Sequence, residues 1–149
     1  MAAHTEDEAT PAADLHGGLA SGLAGCEWVV DALECGPEQL RDLATLRGLC
    51  DQIVESLGLN VIGTPAWHQF PGHAGVTGLY LLSESHLACH TYPEFALATF
   101  NLYCCRPLPH WPWPEVLKDR LAAGRVEVLE IARGGGARGL PIEPPRARR

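Results

Sequence analysis

Short apolar runs broken by glycine and proline fill most of the chain, and two longer segments repeat apolar residues at helical spacing instead. Glu27 to Cys35, EWVVDALEC, is apolar enough for a buried strand and stops at Gly36-Pro37. Pro37 suits the first turn of a helix, and acidic Glu38 suits the positive end of its dipole. Leu40, Leu43, Cys50, Val54 and Leu57 then recur at helical spacing before Gly58, which predicts one helix of about 20 residues laying one face on a sheet. Gly48 inside it costs about 1 kcal/mol against alanine and marks a bend or a close contact. Strand-like runs follow at Leu59 to Phe70, Val76 to Ser83, His86 to Thr91 and Ala96 to Cys105, and their short connections predict antiparallel neighbours. Trp113 to Ala123, with Pro114 and Glu115 in its first turn, predicts a second helix, and Arg125 to Ile131 a last strand. The order predicts an α+β fold, a two-layer α/β sandwich whose antiparallel sheet carries two helices packed on one face.

Composition bounds what such a domain does. With 149 residues, 46% of them hydrophobic, the chain suffices for one domain with one core. Residues 1–24 and 134–149 lack periodic apolar positions and are expected to be a flexible N-terminal extension and a flexible C-terminal tail around a domain at 25–133. A formal charge of -7 and a pI near 5.4 argue against a nucleic-acid surface and favour a small molecule or a protein as partner. No basic n-region followed by an apolar h-region opens the sequence, and no run of about 18 apolar residues interrupts it, so a soluble cytoplasmic protein without membrane contact is expected. Six cysteines without a C-x-x-C pair read as reduced thiols.

Against this background the stretch LLSESHLACHTYPE, residues 81–94, crowds chemistry into an apolar region. Alternation in the run from His86 puts His86, Ala88 and His90 on one face and Leu87, Cys89 and Thr91 on the other. Each residue alone has an ordinary reading: Ser85 as a turn former, His90 as a satisfied half-buried histidine, Cys104 and Cys105 as small hydrophobes. No G-x-S-x-G elbow supports a hydrolase. His86, Cys89, His90 and Cys104 are metal-ligand types, but alternation splits them between faces and their spacing matches no common zinc pattern, so no metal is expected.

The order of residues changes the picture. Gly75-Val76-Thr77-Gly78, Glu84-Ser85-His86, His90-Thr91-Tyr92-Pro93-Glu94 and Cys105 together resemble the prokaryotic S-adenosylmethionine decarboxylase proenzymes, densely from Val76 to Cys105 and more loosely from Trp28 to Ile131. The resemblance implies self-cleavage between Glu84 and Ser85 and a pyruvoyl cofactor made from Ser85. It implies His90 as the processing histidine, Thr77 as a processing hydroxyl where the family often has serine, and Cys105 as the proton donor to the substrate carbon. Tyr92 and Phe70 are implied as aromatic walls for the adenine, with Glu94 retained in the substrate-binding segment. The implied reaction passes through a Schiff base with S-adenosylmethionine and yields CO2 and the aminopropyl donor for spermidine biosynthesis. The implied assembly is a homodimer of processed protomers with active sites at the interface.

Four features depart from the family pattern. The segment His68 to Gly75 is one residue longer, Asn101 stands where aspartate is usual, Arg106 replaces a glycine, and an N-terminal extension is added. The alternatives are a pyruvoyl decarboxylase of ornithine or arginine on the same scaffold, and an unprocessed non-catalytic homologue.

Overall fold

The computed structural model describes residues 25–134; the expected extension at 1–24 and, apart from Gly134, the expected tail lie outside them. Strand β1, Gly25–Leu33, leads to helix α1, Pro37–Arg41, and helix α2, Leu43–Ser56. Strands β2, Ala66–Gln69, β3, Val76–Leu82, and β4, Ser85–Tyr92, follow. A 3-10 turn at Pro93–Phe95 precedes β5, Leu97–Cys104, and the chain continues through helix α3, Trp113–Leu121, into β6, Arg125–Arg133. All six strands form one sheet in the order β2-β3-β4-β5-β1-β6, every pair antiparallel. The two-layer α+β arrangement is as the sequence predicts, with three helices rather than two among the described residues.

Two elements differ from expectation for identifiable reasons. The single long helix is broken at Asp42, whose extended backbone ends α1 and whose carboxylate accepts hydrogen bonds from the backbone N–H groups of Ala44 and Thr45 to start α2. Gly48 marks a close contact instead of a bend, because a Cβ there would lie 2.9 Å from the Arg120 guanidinium. The run Leu59 to Phe70 contributes only β2 and an isolated bridge between Val61 and Leu82; Gly63 at φ 72° and Pro65 interrupt it.

Alternation separates the two faces of the sheet. Val30, Ala32, Val76, Leu87, Phe100 and Leu102 face the helices, where Leu46, Leu49, Ile53, Trp113 and Leu117 bury against them at 1% exposure or less. Each such burial contributes roughly 1.5–3 kcal/mol. Among the described residues, no layer covers the opposite face. Its middle row runs Ala66, Leu79, Ala88, Asn101, Val29, Leu129 across all six strands, and Leu79 and Leu129 are more than half exposed. A parallel row holds His68, Thr77, His90, Thr99, Asp31 and Glu127, and another on the far side of the middle holds Leu81, His86, Tyr103, Glu27 and Ile131.

Candidate active site

The β3–β4 hairpin turns at Ser83-Glu84, and Ser85 is the first residue of β4 rather than a bend before it. Its φ of 147° lies where side chains are strained, at a cost on the order of 1–3 kcal/mol that the surroundings must hold in place. Those surroundings are explicit. The backbone carbonyl of Glu84, joined to Ser85 by the peptide bond in question, accepts the Cys105 N–H at 2.8 Å. Register pairs Ser85 with Cys104, so the residue after β5 reaches across to the turn. Cys104 is fully buried and Cys105 exposed, as strand alternation predicts. The Ser85 hydroxyl lies 3.0 Å from His86 Nδ1, within reach of a base.

Glu84 is itself buried at 7% exposure. Its carboxylate accepts the Asn60 backbone N–H at 3.1 Å and the Asn60 Nδ2 at 2.9 Å, while Arg106 Nη2 stands 3.6 Å away. Burial alone would raise this carboxyl, but the hydrogen bonds from Asn60, with those from Ser83 and its own backbone, outweigh it and bring the pKa from 4.5 down to about 2.

A second cluster sits at the other end of the same hairpin. Thr77 and His90 are paired in register, and Thr77 Oγ1 is hydrogen-bonded to His90 Nδ1 at 2.5 Å. The His90 ring contacts Phe70 on one side, centroids 5.6 Å apart, and Tyr92 on the other, 4.4 Å apart. Phe70, His90, Tyr92 and Glu94 line a cavity of about 260 Å³ together with His73 and Gly75. The lengthened loop therefore still brings Phe70 to His90, helped by the Phe70 N–H donating to the Gly75 carbonyl. Gly75 has to be bare, since a Cβ would come within 2.6 Å of the Thr91 carbonyl oxygen.

The chain thus gathers its candidate residues into two half-sites and keeps them apart. Ser85, Glu84 and Cys105 form one; Thr77, His90, Phe70, Tyr92 and Glu94 form the other. Ser85 and His90 are five positions apart on one strand, a separation of roughly 16 Å at about 3.3 Å per residue. Asn60 is the residue sequence reasoning missed; it sits in a stretch read as strand and carries no motif. Arg106 was visible only as a departure, and its place beside Glu84 depends on the register of β4 with β5.

The sequence model of the family described as S-adenosylmethionine decarboxylase matches residues 26–134. An S-adenosylmethionine decarboxylase proenzyme of Thermotoga petrophila is 33% identical over 123 residues, covering 81% of this chain and 93% of its own. An arginine decarboxylase proenzyme of Aeropyrum pernix is 34% identical over 111 residues, covering 73% of this chain and 83% of its own. The crystal structure of the adenosylmethionine decarboxylase of Aquifex aeolicus superposes with a TM-score of 0.62 at 25% identity, over 75% of this chain and 92% of that one.

Proposed function

Since the chain belongs to the S-adenosylmethionine decarboxylase family, we propose that it is a proenzyme that cuts itself between Glu84 and Ser85, makes a pyruvoyl group from Ser85 and decarboxylates S-adenosylmethionine. The observation that carries this reading is the strained Ser85, at φ 147°, following a carbonyl already seated on the Cys105 N–H. In the cut, Ser85 Oγ attacks the Glu84 carbonyl carbon, the oxyanion is met by that N–H, and the C–N bond breaks as the amine takes the proton. The amide becomes an ester. Loss of the Ser85 α-proton then expels the Glu84 carboxylate and leaves dehydroalanine, whose imine form takes up water and releases ammonia.

The strain fits this sequence, because breaking the peptide bond frees Ser85 from the turn that imposes its backbone angle. Once formed, the pyruvoyl ketone supplies the electron sink for decarboxylation of an α-amino acid. Cys105, exposed beside the turn, returns the proton to the substrate carbon. Phe70 and Tyr92 offer the aromatic walls for an adenine, and Glu94 completes the cavity rim.

The role of His90 requires a second chain. At roughly 16 Å it does not reach the Ser85 of its own protomer. The middle row of the bare face, Leu79, Ala88, Asn101 and Val29, lies halfway between the two half-sites. Stacking two copies face to face about a twofold axis through that row carries each Ser85 toward the partner's His90, and buries exposed apolar side chains. A homodimer with two composite sites is therefore part of the proposal.

Intact-mass analysis of the purified chain tests the reading. Two fragments are expected, one ending at Glu84 and one beginning with a blocked residue 85, and Ser85→Ala is expected to give one whole chain without activity. A wild-type chain that stays whole and lacks a hydroxylamine-reactive carbonyl would sink the proposal. The arginine decarboxylase relative gives a second substrate reading a specific footing. Release of CO2 from arginine or ornithine, with none from S-adenosylmethionine, would replace the substrate while keeping the cofactor.

A further inference from the structure

Self-cleavage needs more than a nucleophile: the turn must stay in its strained form until the bond breaks. Outside the residues assigned above, one group of side chains converges on that turn. Asn60, in the loop after α2, makes three hydrogen bonds to it, two from its N–H and Nδ2 to the Glu84 carboxylate and one from the Ser83 N–H to its carbonyl at 2.9 Å. Arg106 closes the other side, with Nη2 3.6 Å from Glu84 Oε1 and donating to the Gly58 carbonyl at 3.3 Å. Its own carbonyl accepts the Cys26 S–H at 3.4 Å, which ties this stretch to β1.

We propose that Asn60 and Arg106 are positioning residues for the cut, gripping the Glu84 side chain so that the Glu84 carbonyl stays on the Cys105 N–H while Ser85 is held at positive φ. The inference rests on the self-cleavage reading. A side chain fixed at both carboxylate oxygens anchors the Glu84 Cα, and the Ser83 N–H on the Asn60 carbonyl anchors the residue before it, so the next peptide plane can move only by rotation about the Glu84 Cα–C bond, which the Cys105 N–H on the Glu84 carbonyl opposes. Relaxation of Ser85 to an ordinary angle would have to swing that plane, and the grip on Glu84 resists it.

The experiment follows conversion of the freshly made full-length chain by intact mass in wild type, Asn60→Ala, Arg106→Leu and Arg106→Lys, with Ser85→Ala as the uncut reference. Loss of a charge-assisted contact to a buried carboxylate is expected to slow cleavage about tenfold or more in Asn60→Ala and Arg106→Leu. Arg106→Lys, which keeps the charge, is expected to recover most of the rate. Hydroxylamine cuts any accumulated ester, so slow variants that remain whole in it are blocked at the acyl shift, as positioning of the carbonyl requires. Melting curves in the Ser85→Ala background separate misfolding from this effect, and equal melting with unequal cleavage supports the assignment.

Cleavage of Asn60→Ala and Arg106→Leu at the wild-type rate would overturn it. Accumulation of ester, or failure of lysine to restore a folded Arg106→Leu chain, would also overturn it. A wild-type chain that never cuts instead removes the self-cleavage reading on which it stands.

Discussion

At Glu84, burial and hydrogen bonding pull the carboxyl in opposite directions, and the hydrogen bonds win. The direction fixes a pH dependence. Because the folded pKa, about 2, lies below the ordinary 4.5, this residue contributes stability that is fully present above about pH 4.5 and is lost as pH falls toward 2. Compared in the uncut Ser85→Ala background, Glu84→Gln is therefore expected to lower the melting temperature most near neutral pH, with the difference closing between pH 4.5 and 2. A difference that stays constant with pH would mean that ionisation of Glu84 is not what the Asn60 contacts stabilise. Nothing at residue scale in the sequence announces this carboxylate as anything but the residue before Ser85, because its partners come from positions 24 residues earlier and 22 residues later.

Strand β4 shows how one element serves both faces. Its residues His86, His90 and Tyr92 lie on the outward face, where the proposed site residues His90 and Tyr92 are needed, while Leu87, Cys89 and Thr91 face the helices. Thr91, 1% exposed, donates from Oγ1 to the Leu40 carbonyl at 2.8 Å and accepts the Val76 N–H at 2.9 Å, locking β4 to α1 and to the start of β3. Thr91→Val keeps the shape and strands a buried N–H, at an expected cost of about 1–3 kcal/mol. Thermal melting checks it, and a drop of several degrees is expected for a domain of this size. Alternation in β4 was legible because its period of two survives every tertiary contact. The break at Asp42 was less so: Leu40 and Leu43 keep helical spacing across it, and only the capping carboxylate betrays the interruption. Likewise β-like composition from Leu59 to Phe70 hides a loop, since Asn60 turns its amide to Glu84 instead of to a neighbouring strand. Motif residues were recognisable through the family resemblance that their order carries, whereas their division into two groups emerged only from register.

For the whole molecule, the division of the site makes a prediction that no single-chain enzyme would satisfy. A Ser85→Ala chain cannot be cut, and a His90→Ala chain is expected to be cut slowly because its partner lacks the histidine. Coexpressed, the two build one composite site with an intact Ser85 from one chain and an intact His90 from the other. Cleavage of the His90→Ala chain is expected to recover in the mixture while the Ser85→Ala chain stays whole, as read by mass. No recovery in a mixture shown to contain the heterodimer would place both residues' work within one protomer. The bare face itself, with Leu79 at 52%, Leu81 at 60% and Leu129 at 58% exposure, has the apolar surface such an assembly buries.

The strand order has one further consequence. A cut after Glu84 assigns β1, β2 and β3 to one product and β4, β5 and β6 to the other, yet β1 lies between β5 and β6. The fragments are interlaced like the fingers of two hands, and pulling them apart would tear three ladders, β3–β4, β5–β1 and β1–β6. Before the cut, the sheet of each protomer unfolds and refolds as a first-order event of one chain. Afterwards the same sheet has to be rewoven from two molecules, so recovery from denaturant becomes second order and dilution alone suppresses it. Such a cut would turn a sheet that one chain can reweave by itself into one that it cannot, with the interlaced β1 as its lock.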